Sequence, residues 1–279
     1  MADFTNIDQI YFDMLVKMVY ANNSGGKNLK MTTQYIGGIR DKVVHFRKMG
    51  SVQMGLSSYL QQVSFSDPNY QKVALTPQKY NVAIPIGDVE QYTVNFNEQA
   101  QDAKALALAT QRYEDQLVIN ALNVSGTTNV IVDGGTNLTY AKLLQVIKYF
   151  DEIGVPQNDR IFAMSAAGQQ SLMNEEKFTS SLYIDYKIIP RGGLDGVKTA
   201  TMNFVVIPTM REGGLPLSGN IRSCFAWQRD SIGYVAREFS TLVERRSDFD
   251  GWQALARIFA ASGAIDADGI VQIDIDETK

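Results

Sequence analysis

Residues 95–123 read NFNEQAQDAKALALATQRYEDQLVINALN, the longest uninterrupted helical signal in the chain, without Gly or Pro and dense in strong helix formers. Asn95 with Glu98 three residues later predicts an N-cap, and Glu98 and Asp102 place negative charge at the positive end of the helix dipole. Ala103, Leu106, Thr110, Tyr113, Leu117 and Ala121 follow one face, while Gln99, Lys104, Gln111, Glu114 and Asp115 lie elsewhere around the helix. At 1.5 Å per residue this helix runs roughly 40 Å, longer than a small domain needs. Its length predicts a spine for the parts on either side.

The stretch before the spine has the period of strands. Val52, Met54 and Leu56 alternate, as do Val73 with Leu75 and Tyr80, Val82, Ile84 with Ile86. Ser66-Asp67-Pro68-Asn69-Tyr70 between them is a turn signal. The expectation is one long hairpin over residues 51–94. A two-stranded hairpin is marginal in water, so its apolar side chains need a cover, and a neighbouring subunit is the most economical one. Ahead of it, residues 5–20 predict a short amphipathic helix, with Thr5 as cap and Ile7, Ile10, Met14 and Met18 on one face. Residues 21–50 are looser. Lys27, Lys30, Arg40, Lys42, Arg47 and Lys48 face a single acid, Asp41, there. This run reads as an arm that docks on acidic surface of another copy or on nucleic acid, or as a solvated charge run.

Past the spine the pattern is mixed. A short strand at 129–132 precedes a helix from Thr139 to Ile153, capped by Thr139, closed by Gly154 and stopped by Pro156. Arg160–Met164 reads as a buried strand running into a second cap, Ser165, and a helix to Met173. Further strands are expected at 203–208, within 225–243, at 252–260 and at 270–275, the last two joined by a turn at 266–269.

Composition limits the chemistry. The chain has 279 residues, a net charge of −4 and one cysteine, Cys224, so it forms no intrachain disulfide. The acidic balance argues against a dedicated nucleic-acid binder. No apolar run reaches the ~20 residues of a membrane span, and Asp3, Asp8 and Asp13 stand where a signal peptide is basic, so a soluble intracellular product is expected. The only histidine is His45, which excludes a histidine-rich metal site. Neither GxGxxG nor GxxxxGK[ST] occurs, and the five Gly-Gly pairs fall where turns belong. Asp266 and Asp268 before Gly269 fail the register of a calcium loop at Ile270. No catalytic residue, cofactor or metal is expected.

The order of parts, arm, hairpin, spine helix, α/β segment and returning strands, resembles the major capsid protein of tailed bacteriophages, the Hong Kong 97-type fold. LTPQKYNVAIPIGDVEQ (75–91) resembles the family's strand returning from the hairpin into the spine. LTYAKLLQVIKYFDEIGVPQNDRIFAMSAAGQQSLMNEEKF (138–178) resembles the opening of its axial domain, and GWQALARIFAASGAIDADGIVQIDI (251–275) its closing peripheral strands. The resemblance implies an α+β Hong Kong 97-type capsid fold. Its parts are an N-terminal arm (1–50), an extended β-hairpin loop (51–94), a peripheral domain with the spine (95–137), an axial domain (138–235) and peripheral C-terminal strands (236–279). It implies pentamers and hexamers closing an icosahedral shell around double-stranded DNA, assembled in the host bacterial cytoplasm and carried in the virion. The expected inter-subunit residues are Lys27, Lys30, Arg40, Lys42, Arg47, Lys48, Pro68, Tyr70, Lys72 and Lys79. Lys72 and Lys79 lie where some relatives cross-link their loops, but no partner residue is identifiable and cross-linking is not expected. With no room for a scaffolding segment, a separate scaffolding protein is expected, together with a portal; a decoration protein is an optional further partner whose need the sequence does not decide. An encapsulin-type compartment shell is the alternative within the fold, and a soluble α/β hydrolase or binding module the alternative outside it.

Overall fold

The computed structural model describes residues 6–22, 26–38, 41–50, 52, 54–56, 65, 67–87, 98–124, 129–175, 194–196, 198–199, 201–209, 212–246, 248 and 251–279. Their helices are α1 (Asn6–Ala21), α2 (Glu98–Val124), α3 (Tyr140–Ile153) and α4 (Ala166–Asn174). The strands in chain order are β1 (Gln34–Gly37), β2 (Val44–Lys48), β3 (Gln71–Leu75), β4 (Gln78–Gly87), β5 (Val130–Ile131), β6 (Arg160–Ser165), β7 (Lys198–Thr199), β8 (Met202–Ile207), β9 (Leu217–Ser218), β10 (Ile221–Gln228), β11 (Ile232–Ala236), β12 (Ser240–Arg246), β13 (Gly251–Ala264) and β14 (Ile270–Asp276).

The predicted spine is α2, and the expected cap Asn95 lies outside the described residues. Ala103, Leu106 and Ala107 bury against Ala254 and Ala256 of β13 and against Phe12 and Val16 of α1, small side chains letting helix and sheet approach. Further along, Leu117, Val118, Ile119 and Leu122 enter the main core with Phe162, Phe204 and Trp227. Gln111, Glu114 and Asp115 lie off the apolar face, and all three are buried, because Tyr20 and the backbone at Lys27 and Leu29 pack across them.

α1 also turns differently from its predicted face. Met14 and Met18 are exposed, while Phe12 and Val16 are buried, and Tyr20 stacks on Phe239 at 4.4 Å. The helix has apolar residues on two sides, and the side carrying the aromatic stack wins. Thr5, its expected cap, lies outside the described residues. The α3 and α4 signals hold: Thr139 accepts from Lys142 N, Gly154 closes α3 in the left-handed region, and Ser165 accepts from Gly168 N.

A seven-stranded sheet runs β5-β14-β10-β6-β8-β7, with β9 beside β10. A five-stranded sheet runs β1-β11-β13-β12, with β4 pairing β13 over ten residues. These groupings cut across the expected chain-order boundaries. β14 joins the sheet of the 138–235 segment, whereas β1 and β4, from arm and loop, join the sheet under the spine.

The single long hairpin over 51–94 is therefore corrected at the strand level. Tyr80, Val82 and Ile84 alternate as predicted, but they pack on the subunit's own core and not against a neighbour, and their partner strand is β13. The two-stranded ribbon is β2 with β3, Val44 opposite Leu75 and Phe46 opposite Val73. Alternation in a sequence marks the two faces of a strand and carries no information about its partner.

Candidate assembly interface

The ribbon lies on the outer face of the five-stranded sheet because that face is cleared for it. Gly233 and Gly263 are directly opposed in register. A Cβ on Gly233 would stand 2.9 Å from the Phe46 ring, and one on Gly263 2.5 Å from Leu75. Phe46, Val235 and Ile265 bury there, with Val44, Val73 and Leu75 packed against them. The opposite face of the ribbon, His45, Arg47, Lys72 and Ala74, is exposed. Arg47 and Lys72 are cross-strand neighbours, a like-charge pairing that is unfavourable unless something anionic lies over it. No carboxylate among the described residues pairs with either.

Beyond the ribbon, the described residues of the 49–70 connection carry exposed apolar side chains. Gly50 N donates to Pro68 O at 2.9 Å, and Asp67 Oδ1 accepts from Asn69 N, so the predicted turn forms in part, with Ser66 outside the described residues. Met54, Leu56 and Phe65 are essentially fully exposed, and Met49, Val52 and Tyr70 more than half so.

The basic run divides into two groups. Lys30 Nζ donates to Glu114 Oε2 at 2.7 Å and to the Tyr20 hydroxyl at 2.9 Å, with the ion pair 10 % and 3 % exposed. Glu114 Oε1 accepts from the hydroxyls of Tyr20 and Tyr234 at 2.6 and 3.2 Å. Burial first, and the Glu114 carboxylate second, push both phenols far up, so both remain donors. Next to Glu114, Asp115 accepts from Leu29 N at 2.8 Å and from Lys27 N at 2.5 Å, with Asn28 between them in the left-handed region. Burial pushes the Asp115 carboxyl up, against those two amides. Lys27 Nζ meets Asp195, and Lys48 Nζ meets Asp266 and Asp268, which hold its ammonium above its usual range, the Asp266 hydrogen bond foremost. Lys27, Lys30 and Lys48 thus spend their charge on acids of their own chain. Lys42, Arg47, Lys72 and Lys79 are exposed, Pro68 is half-buried in the turn and Tyr70 is exposed; Arg40 lies outside the described residues. The acid pair on α2 that fixes the arm was not recognised in the sequence, where only the spacing of apolar residues distinguishes faces.

Among the described residues no helix is long and apolar enough to cross a membrane. Two sheets packed about a long helix, with the apolar side chains of Met54, Leu56 and Phe65 left exposed, make a subunit suited to contact with other subunits. The chain belongs to the phage capsid protein family, whose model matches residues 5–277. No curated protein matches it. Among solved structures, a chain of Mycobacterium phage Che8 is 18% identical with a TM-score of 0.61, covering 93% of this chain and 91% of that one. The capsid of cyanophage P-SCSP1u is 14% identical with a TM-score of 0.63, covering 87% and 86%. The acid-stable capsid of Helicobacter pylori bacteriophage KHP30 is 9% identical with a TM-score of 0.67, covering 90% of each chain. The fold is therefore of the Hong Kong 97 type, and the protein is a structural protein, the major capsid protein of a phage's icosahedral shell. The family match favours the viral shell over the compartment shell and sets aside the hydrolase reading.

Proposed function

We propose that copies of this subunit join into pentamers and hexamers through the 49–70 connection and the cationic outer face of the ribbon, and that the closed shell encloses double-stranded DNA. The observation that carries this is the exposure of Met54, Leu56 and Phe65 together. Burying each such side chain is worth about 1.5–3 kcal/mol, whereas an exposed ion pair contributes about 0–1 kcal/mol, so the apolar connection supplies the energy and the charges supply the register. The arm (1–50), the loop (51–94), the spine with the C-terminal strands, and the 138–235 segment serve as arm, extended loop, peripheral and axial parts of each capsomer. A separate scaffolding protein and a portal act with it in the host bacterial cytoplasm, a decoration protein being an optional further partner. A mildly acidic wall, net −4, suits a container that holds DNA without gripping it.

Charge reversal tests the contact directly. Arg40→Glu, Lys42→Glu and Arg47→Glu in one chain are expected to block shell formation while the subunit stays folded. Sedimentation and negative-stain microscopy report particles, and circular dichroism reports the fold. Normal shells from this variant contradict the role given to the basic face.

A further inference from the structure

On the outer face of the five-stranded sheet β13 has two successive neighbours along one edge: β12 pairs with residues 251–257 and β11 with 260–264. The crossover at 237–239 passes between them, held by Arg237 N donating to Phe259 O at 2.7 Å. An open cleft of about 570 Å³ lies at this break. Lys79, Arg237 and Arg257 enter it, and none of the three has a carboxylate partner among the described residues. Arg257 Nε is buried with no hydrogen-bond partner there. Lys17 also lines the cleft but is already paired with Asp13 at 2.8 Å, which leaves Glu238 as the one unpaired acid. A buried guanidinium nitrogen without a partner, beside two further unpaired cations, describes a site for an anion with more than one acceptor oxygen.

We infer that this cleft receives a carboxylate side chain from a neighbouring copy of the chain. The inference rests on the shell reading above and gives it a second contact, distinct from the ribbon. Charge argues for a copy of the chain as the occupant: the chain as a whole is acidic, net −4, while the cleft is cationic, so another copy presents a surface of opposite sign on average. Arginine supplies the forked donors that fix a carboxylate in one orientation, and Lys79, opposite Phe259 in the sheet, adds a point charge at the rim. Bound there, a carboxylate satisfies Arg257 Nε.

Two measurements on the full chain test this. Wild-type particles are treated with a water-soluble carbodiimide, which joins an amine to a carboxylate in contact with it. Peptides from the covalent dimer band are then identified by mass spectrometry. The expected product is Lys79 joined to an acidic residue in the dimer band; Lys79 joined only within the monomer band shows that the chain's own acids fill the cleft and overturns the inference. In parallel, Lys79→Glu with Arg237→Glu, both exposed positions, is expected to lower particle yield at least about tenfold at unchanged Tm of the unassembled subunit. Particles at wild-type yield overturn the inference while leaving the shell reading intact. A fall in Tm matching the fall in yield assigns these residues to the fold and also overturns it. A wild-type chain that never leaves the monomer overturns both readings.

Discussion

Glu114 and Asp115 are the most consequential side chains that sequence reasoning passed over. They sit in mid-helix, away from the dipole end that favours acids, and their partners Lys30 and Leu29 lie more than eighty residues away. No periodicity connects such positions; only the folded arm does. Lys30→Met leaves Glu114 buried without its cation and is expected to cost about 3–5 kcal/mol in denaturant unfolding. Adding Glu114→Gln removes the stranded charge, so the double variant recovers part of that loss; a simple sum of the two single effects contradicts the pairing. Asp115 sets a pH dependence of opposite sign to a salt-bridged carboxylate. Its carboxyl is raised in the fold, so the folded state binds the proton more tightly than the unfolded one. Stability therefore rises as pH falls from neutral through that raised value toward the ordinary carboxylate range. The denaturant midpoint of the subunit is expected to rise on mild acidification, and the trend to be lost in Asp115→Asn. Cys224 is a buried thiol, and burial pushes it up to about 12. It is expected to resist maleimide until the subunit unfolds, and reaction at the native baseline contradicts that placement.

At the level of elements, the helices were legible and the strand partners were not. The caps at Thr139, Gly154 and Ser165 are local chemistry, written within four residues of the helix they bound. The pairing of β4 with β13 joins residues 78–87 to 251–260, and nothing in either strand specifies the other beyond a shared apolar face. The glycine pair was equally invisible, because Gly233 and Gly263 matter only once they are opposite one another. Gly263→Val is expected to lift the ribbon from its seat by displacing Leu75. Faster limited proteolysis between residues 44 and 75 checks this, and an unchanged cleavage rate contradicts it.

For the whole molecule, the order of parts was readable, and with it the family, because a long spine flanked by an arm and a loop is a pattern along the chain. The unsatisfied surface is smaller than the expected hairpin, since β2, β3 and β4 all rest on the subunit's own sheet. What remains is the 49–70 connection. Met54→Asp with Leu56→Asp is expected to leave the unfolding midpoint of the free subunit unchanged and to abolish particles in sedimentation; intact particles move the driving contact elsewhere. One further property follows from the position of β14, which lies inside the seven-stranded sheet between β5 and β10 and pairs with β10 along residues 221–227. A nascent polypeptide still missing residues 270–276 leaves the β10 edge of that sheet unpaired and β5 without its partner. Ribosome-bound or truncated products stay unfinished there, and incorporation into a growing shell waits on the completed translation of each copy.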